Sequence, residues 1–497
     1  MKVFIQNLFN KEYRFLWLVV CASTIMVFLI SYFQSIWLDE GLSIEFSRKS
    51  VAELLSISMR VDLHPPLYNL LLHYSGKFIS QNVLWYRFWS GIAYAGSIIV
   101  LYKYLQSMVV EQKKRIVYAS LFALSPFAIY YASEARSYMM VVLVSLIHFV
   151  AFDNICENRG RRKMQLILYS VVSIIGIYLF YPIAFLLVSN VVYVVLFKRD
   201  YFKKFIIPWV ITTVAYVPWI GFVLLNRLGD SPTHFLNIPW WQIPAVIFIG
   251  FSGGRVAITD VNHVHWYWPT ILISCIVAIN FFGIYTLWRN KTQRQHIIRL
   301  LCTIGIPVIL CLVVSFFKFS IFDPRYYAQV FPIFILLLIF SVHSLSETKP
   351  LLYRYTVPAL FAVNLLFLGI YAFNPWFGRE PWKKIVPILE ARLEPRDAVV
   401  FIGSHQPPPT YVEYQTKSIE IISTDPITLT TEGERYIRIE EHLVQELQDN
   451  DRVWYSQFLE WQKDPEHIIR KMIEKDFEYK ETIGFFKVQF DLYERKK

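Results

Sequence analysis

Cysteine is scarce in this 497-residue chain. The five residues are Cys21, Cys156, Cys275, Cys302 and Cys311, and none lies after position 374. All five fall in or beside apolar runs, with no CxxC pair and no zinc spacing. Neither a disulfide framework nor a structural metal site is implied. Charge is also scarce. Asp, Glu, Lys and Arg make up 18% of the residues, against about 25% in an ordinary soluble protein. Internal repeats and low-complexity tracts are missing. The nearest thing to a glycine-rich loop, Phe251-Ser-Gly-Gly-Arg255, follows no strand, so no dinucleotide site is implied. It reads as a flexible turn whose Arg255 could approach a ligand. Disordered, collagen-like and purely soluble globular classes are excluded, though a soluble domain on a membrane body is not.

What the chain has instead is apolar length. It is 55% hydrophobic and 17% aromatic, with a mean hydropathy of +0.39. Residues 14–37 form the first long run. At 1.5 Å per residue, that run crosses a hydrocarbon core of about 30 Å. It has no small-residue cleavage site after a short apolar core, so it reads as an anchor and not a signal peptide. Further runs lie near 84–105, 116–133, 138–155, 165–180, 183–197, 205–225, 266–288, 297–317, 327–344 and 352–372. The total is about eleven spans. Residues 64–80 and 240–250 are apolar but short, and read as interfacial or re-entrant helices.

The formal charge of +11 divides unevenly. Residues 374–497 carry 18 Lys/Arg and 23 Asp/Glu, while the rest carries 31 and 15. The surplus of cations therefore belongs to the apolar part, where Lys and Arg mark cytoplasmic loops. A nucleic-acid surface is not indicated. With a cytoplasmic N-terminus, the clusters at 111–115, 158–163, 198–204, 289–294 and 349–354 share the inner side. An odd number of spans then puts 374–497 outside the cytoplasm. The division is a membrane domain, 1–373, with a large outer loop at 37–83, and a small extracytoplasmic α/β domain, 374–497. In that domain 398–403, 419–423 and 452–456 read as strands, and 382–393, 434–448 and 464–475 as helices. The expected localisation is the cell membrane, multi-pass.

Polar residues at the predicted outer face carry the chemistry. Asp39 and Glu40 stand where the first span leaves the membrane. A carboxylate there could take a proton from an acceptor hydroxyl; an acidic, solvated helix exit would explain the same pair. His64-Pro-Pro-Leu-Tyr68 opens a helix. Its imidazole near the positive helix end suits a phosphate oxygen, or else it is incidental to a helix start. Ser133-Glu-Ala-Arg-Ser-Tyr138 interrupts two apolar runs. Glu134, Arg136 and Tyr138 are too polar to face lipid cheaply, and the planar donor fork of Arg136 suits phosphate. An internal Glu–Arg pair is the competing reading. Asp323-Pro-Arg-Tyr-Tyr327 offers Arg325 and Tyr326 as a second phosphate or sugar contact, or as an interfacial anchor. Arg87 is expected to snorkel. His263 and His265 make a poor case for a metal, so none is assigned. No cofactor is called for, with room left for a divalent cation.

Together these residues resemble the GT-C superfamily of membrane glycosyltransferases. The likeness is to the branch that groups protein O-mannosyltransferases, lipid A aminoarabinose transferases and RgtA/B/C/D-like sugar transferases. It is carried by Trp37-Leu-Asp-Glu-Gly41, His64-Pro-Pro-Leu-Tyr68, Tyr86-Arg87 with Ser90, Ser125-Pro126, Glu134-Ala-Arg-Ser-Tyr138, Arg325-Tyr326, and Pro381-Trp382 through Asp397-Ala-Val-Val400. It spans roughly residues 10 to 400.

The resemblance implies a sugar carried on a polyprenyl phosphate. An acceptor hydroxyl on a glycolipid, an envelope glycan such as lipopolysaccharide, or a protein attacks the anomeric carbon with inversion. Asp39 would be the general base and Glu40 its support or partner. Arg136 and Arg325 would contact phosphate or sugar, together with Glu134, Tyr138 and Tyr326. His64 stands where some relatives carry a Lys, and an imidazole is charged only part of the time near neutral pH. A transporter or flippase of lipid-linked sugars is the alternative. It is expected to show inverted repeats and helices broken at mid-membrane, and the sequence shows neither.

Overall fold

The computed structural model describes residues 11–60, 64–227, 242–257, 267–290, 293–317, 323–374, 378–402, 407–424, 443–460, 464 and 466–497. The chain separates into two compact units. One holds residues 1–31 and 46–373, the other 32–45 and 374–497.

The first unit is helical. It comprises α1 (Lys11–Phe33), the end of α2 (Leu38–Arg48), α3 (Val51–Arg60), α4 (Leu67–Phe78), α5 (Val83–Leu105), α6 (Gln112–Ala123), α7 (Pro126–Ala132), α8 (Tyr138–Cys156), α9 (Arg162–Leu179), α10 (Ile183–Phe197), α11 (Phe202–Arg227), α12 (Ile243–Gly253), α13 (Tyr267–Arg289), α14 (Arg294–Phe317), α15 (Phe331–Thr348) and α16 (Pro350–Phe373). Among the described residues, seven helices are long and apolar enough to cross a membrane, and α6 with α7 makes an eighth if read as one bent span. All eleven expected runs are helical. The lower count arises because α10 and the described part of α13 are short, and α5 carries Arg87 and Lys103.

The expected single run at 116–133 is two helices meeting at 58°. Ser125-Pro126 lies at that break: Pro126 has no N–H to continue the ladder and takes the first position of α7. Gly254, with φ +65°, lies against it. A Cβ there would come within 3.0 Å of the Pro126 backbone, so both the left-handed conformation and the close approach call for glycine.

Two spans, α8 and α15, are mostly buried inside the unit, whereas α1, α11 and α16 expose most of their apolar surface. Their walls are therefore other helices and not lipid. Near the end of α8 Asp153 meets Arg299 of α14 at 2.5 Å, both side chains fully buried. Tyr104 and Arg159 each donate to Asp153 at 3.0 Å. Arg87 does not snorkel. It is buried on α5 and donates to the carbonyl of Ser31 on α1, so its charge ties two helices together and does not reach for the interface.

The second unit is a small α/β domain. Its sheet has the order β2-β1-β3-β5-β4, from β1 (Asp397–Ile402), β2 (Glu420–Thr424), β3 (Arg452–Ser456), β4 (Phe477–Phe485) and β5 (Val488–Arg495). β2 and β3 flank β1 in parallel; β5 runs antiparallel to both β3 and β4. Alternation along β1 serves two cores. Val399 and Phe401 pack with Trp382 and Leu389 of α17 (Trp382–Arg392). Ala398, Val400 and Ile402 pack with Leu443, Leu447, and Ile469 and Ile473 of a helix at Ile468–Asp476. The first three strands match the sequence reading. The β4–β5 hairpin was not foreseen, because β4 reads Phe-Glu-Tyr-Lys-Glu-Thr and is exposed along most of its length. Its charges guard the sheet edge.

Candidate functional site

Asp39 and Glu40 occupy the first turn of α2. Carboxylates there are favoured by the unpaired N–H groups and the positive end of the helix dipole. Asp39 is half-buried and Glu40 fully buried. The segment bearing them belongs to the C-terminal unit, which holds it with atoms from several places. Ile36 N–H donates to the Tyr414 hydroxyl at 3.0 Å and Leu38 N–H to Glu380 at 3.1 Å. In return, Arg379 N–H donates to Gln34 and Lys383 N–H to Ser35. Lys383 Nζ reaches the Tyr32 carbonyl. Gly41 fits because it is small: a Cβ would meet Pro409 and Thr410 at 3.2 Å.

Glu40 is paired with Arg379 at 3.4 Å, with both side chains buried. Glu380 is half-buried at the surface, but its carboxylate is held deep. Burial raises its pKa to about 7; Asp39 adds to the rise, while the Trp382 indole, Lys487 and the Leu38 N–H oppose it. The same oxygen accepts from Leu38 N–H and Trp382 Nε1, each at 3.1 Å.

In the membrane unit, the segment between α7 and α8 brings three expected residues together. Arg136 Nη2 lies 3.2 Å from His64 Nε2. Its guanidinium stands 5.7 Å from the Tyr138 ring centre, and that ring meets His64 edge-on at 6.4 Å. Tyr131 and Phe180 complete an aromatic wall around Tyr138. Ser90 of α5 donates to the Arg136 carbonyl at 3.2 Å. Glu134 is fully buried. The sequence places His64 just before α4, and Pro66 directly precedes that helix.

Arg325 and Tyr326 form a second group, in a single turn before α15. Asp323 accepts from the Arg325 N–H at 3.0 Å and pairs with its side chain at 3.4 Å. The Arg325 guanidinium lies 5.2 Å from the Tyr326 ring centre. Both groups stand at the start of the two most enclosed spans, where helix N-termini favour anions. Among the described residues, no cluster of three or more His, Cys, Asp or Glu could hold a metal. His263 and His265 lie outside the described residues.

Arg379, Glu380 and Tyr414 were missed by sequence reasoning. A usable signal existed: Arg379-Glu380-Pro381-Trp382 follows the last span as Trp37-Leu38-Asp39-Glu40 follows the first, each a charged pair beside a tryptophan.

No family model matches the chain, and no curated protein matches it by sequence. Solved structures do. ArnT from Cupriavidus metallidurans, bound to undecaprenyl phosphate, aligns with a TM-score of 0.59 and 12% identity over 97% of this chain and 98% of that one. The archaeal oligosaccharyltransferase AglB from Archaeoglobus fulgidus, in complex with an inhibitory peptide and a dolichol-phosphate, aligns with a TM-score of 0.50 and 11% identity. That match covers 96% of this chain and 74% of the other. The likeness is one of fold, along nearly the whole chain.

Proposed function

We propose that this chain, whose fold is that of the GT-C glycosyltransferases, moves a sugar from a polyprenyl-phosphate donor to an acceptor hydroxyl on a glycolipid, an envelope glycan or a protein. The observation that carries the reading is the setting of Asp39: half-buried, in the first turn of a helix directly after the first span, on a segment pinned on several sides. The polyprenyl phosphates bound to the two structural neighbours support the donor class.

In this reading Asp39 takes the proton of the acceptor hydroxyl. The hydroxyl oxygen bonds to the anomeric carbon with inversion, the bond from that carbon to the phosphate oxygen breaks, and polyprenyl phosphate leaves with the electron pair. A phosphate leaving group needs little help from an acid, so one carboxylate suffices. This differs from the paired carboxylates of glycosidases. Arg136 and Arg325, with His64, Glu134, Tyr138 and Tyr326, contact the phosphate and sugar. Fixed cations there stabilise charge that grows in the transition state. Glu40, already paired with Arg379, supports Asp39 and does not replace it.

The test is turnover of a polyprenyl-phosphate sugar by the purified protein in lipid. Asp39→Asn is expected to lose about 10²–10⁴-fold in rate, with folding intact. Near-normal turnover would sink the base assignment. We also place the N-terminus in the cytoplasm and residues 374–497 outside it. A cysteine introduced there should label from outside intact cells, and labelling only after lysis would overturn the topology.

A further inference from the structure

We infer that Glu380 is a positioning residue for the transfer reaction, one that sets the placement of Asp39 by capping the helix turn that carries it. This rests on the reading of Asp39 as the base.

The argument starts with the end of a helix. The first N–H groups of α2 have no partner within the helix. The usual remedy is a side chain from the residue just before it, but that residue is Trp37, which has no acceptor. Glu380 supplies one instead, from 342 positions away in sequence, by accepting from the N–H of Leu38. Asp39 is the next residue, so the backbone that carries the base is fixed by this bond. The carboxylate is itself fixed. Its accepting oxygen is shared with the indole N–H of Trp382, a fully buried residue at the start of α17. The next residue on the other side, Arg379, holds Glu40. Two consecutive residues thus hold the α2 turn, Arg379 through the Glu40 side chain and Glu380 through the Leu38 N–H.

The surroundings make Glu380 more than a peg. The charged groups bearing on it are Asp39 from α2 and Lys487 from the β4–β5 turn, with Arg379 beside it already committed to Glu40. Lys487 in turn donates to the Gly378 carbonyl at 2.7 Å. Asp39 and Glu380 repel when both are ionised, which helps hold the proton on Glu380.

Two variants separate these effects. Glu380→Ala removes acceptor and charge. Its kcat is expected to fall about tenfold or more through misplacement of the base, with the donor KM little changed. Glu380→Gln keeps an acceptor oxygen but not the charge. It should recover most of kcat, while its pH–rate profile loses the inflection near pH 7 that ionisation of Glu380 beside Asp39 gives the wild type. A purely structural role would give no such inflection. A Glu380→Gln profile that keeps the wild-type inflection near 7 overturns the proposal, even if Glu380→Ala fails to fold. The parent reading is judged separately. If Asp39→Asn is inactive and both Glu380 variants behave as wild type, only the role of Glu380 falls. If Asp39→Asn turns over normally, the base assignment falls first.

Discussion

Arg136 Nη2 lies 3.2 Å from Nε2 of His64. A guanidinium can only donate, so the imidazole nitrogen is the acceptor in this contact. His64 thus braces Arg136. In the proposed function an arriving phosphate would meet the Arg136 guanidinium aimed by that imidazole and flanked by Tyr138.

Unequal penalties follow for the two residues. Arg136→Ala should weaken binding of a polyprenyl phosphate by about 1.5–3 kcal/mol, the range for a hydrogen bond to a charged group. Arg136→Lys should recover little, because an ammonium lacks the planar fork. His64→Ala should cost less than either. Titration of each purified variant with the lipid phosphate checks the order.

The buried pair of Glu40 with Arg379 should matter to folding more than to chemistry. Arg379→Ala strands a carboxylate that is fully buried, a loss of about 3–5 kcal/mol. Glu40→Gln leaves the guanidinium unneutralised and should cost a similar amount. Thermal unfolding of the full chain in detergent measures both.

Glu380 gives stability a defined pH dependence. Its pKa is raised from an ordinary value near 4.5 to about 7 by burial, with help from Asp39. The folded state therefore holds the proton more tightly than the unfolded one. The contribution is fully present below about pH 4.5 and is lost as pH rises through about 7. The Glu380→Gln variant should lack this slope. Melting temperatures from pH 4.5 to 7.5 for the two proteins test the sign.

In the membrane unit, Asp153 and Arg299 should behave as a coupled pair. Asp153→Asn alone should destabilise by about 3 kcal/mol or more, since it leaves a buried guanidinium short of its counter-charge. Asp153→Leu combined with Arg299→Met should cost less than the two single changes added together. A double-mutant cycle on unfolding in detergent reads the coupling.

The fold shared with ArnT was legible in the sequence because apolar runs announce their own length, and the resemblance rested on the order of Asp39-Glu40, His64-Pro-Pro and Glu134-Ala-Arg-Ser-Tyr138. The first three strands of the sheet announced themselves by buried, β-branched runs such as Ala398-Val-Val-Phe-Ile402. The β4–β5 hairpin did not, because its charges serve an edge and not a core. Of the candidate residues, the joining of His64, Arg136 and Tyr138 in one group could be suspected from their shared face. The attachment of 32–45 to the C-terminal unit could not. No periodicity reports that a backbone N–H at Leu38 is satisfied by a side chain at position 380. For the same reason Arg87 was misjudged. A cation in an apolar run looks alike whether it reaches for water or for a carbonyl on the next helix.

The stitching of residues 32–45 to Arg379, Glu380, Lys383 and Tyr414 also sets an order of events in synthesis. Chains emerge N-terminus first, so the first span and its acids exist long before the residues that fix them. Through most of translation the α2 turn has no cap from Glu380 and Glu40 has no Arg379. Until the last part of the chain folds, the acid lacks its final setting. A nascent or truncated product would hold Arg136 and Arg325 without Arg379 and Glu380, so under the proposed function a chain that stops early should be inert.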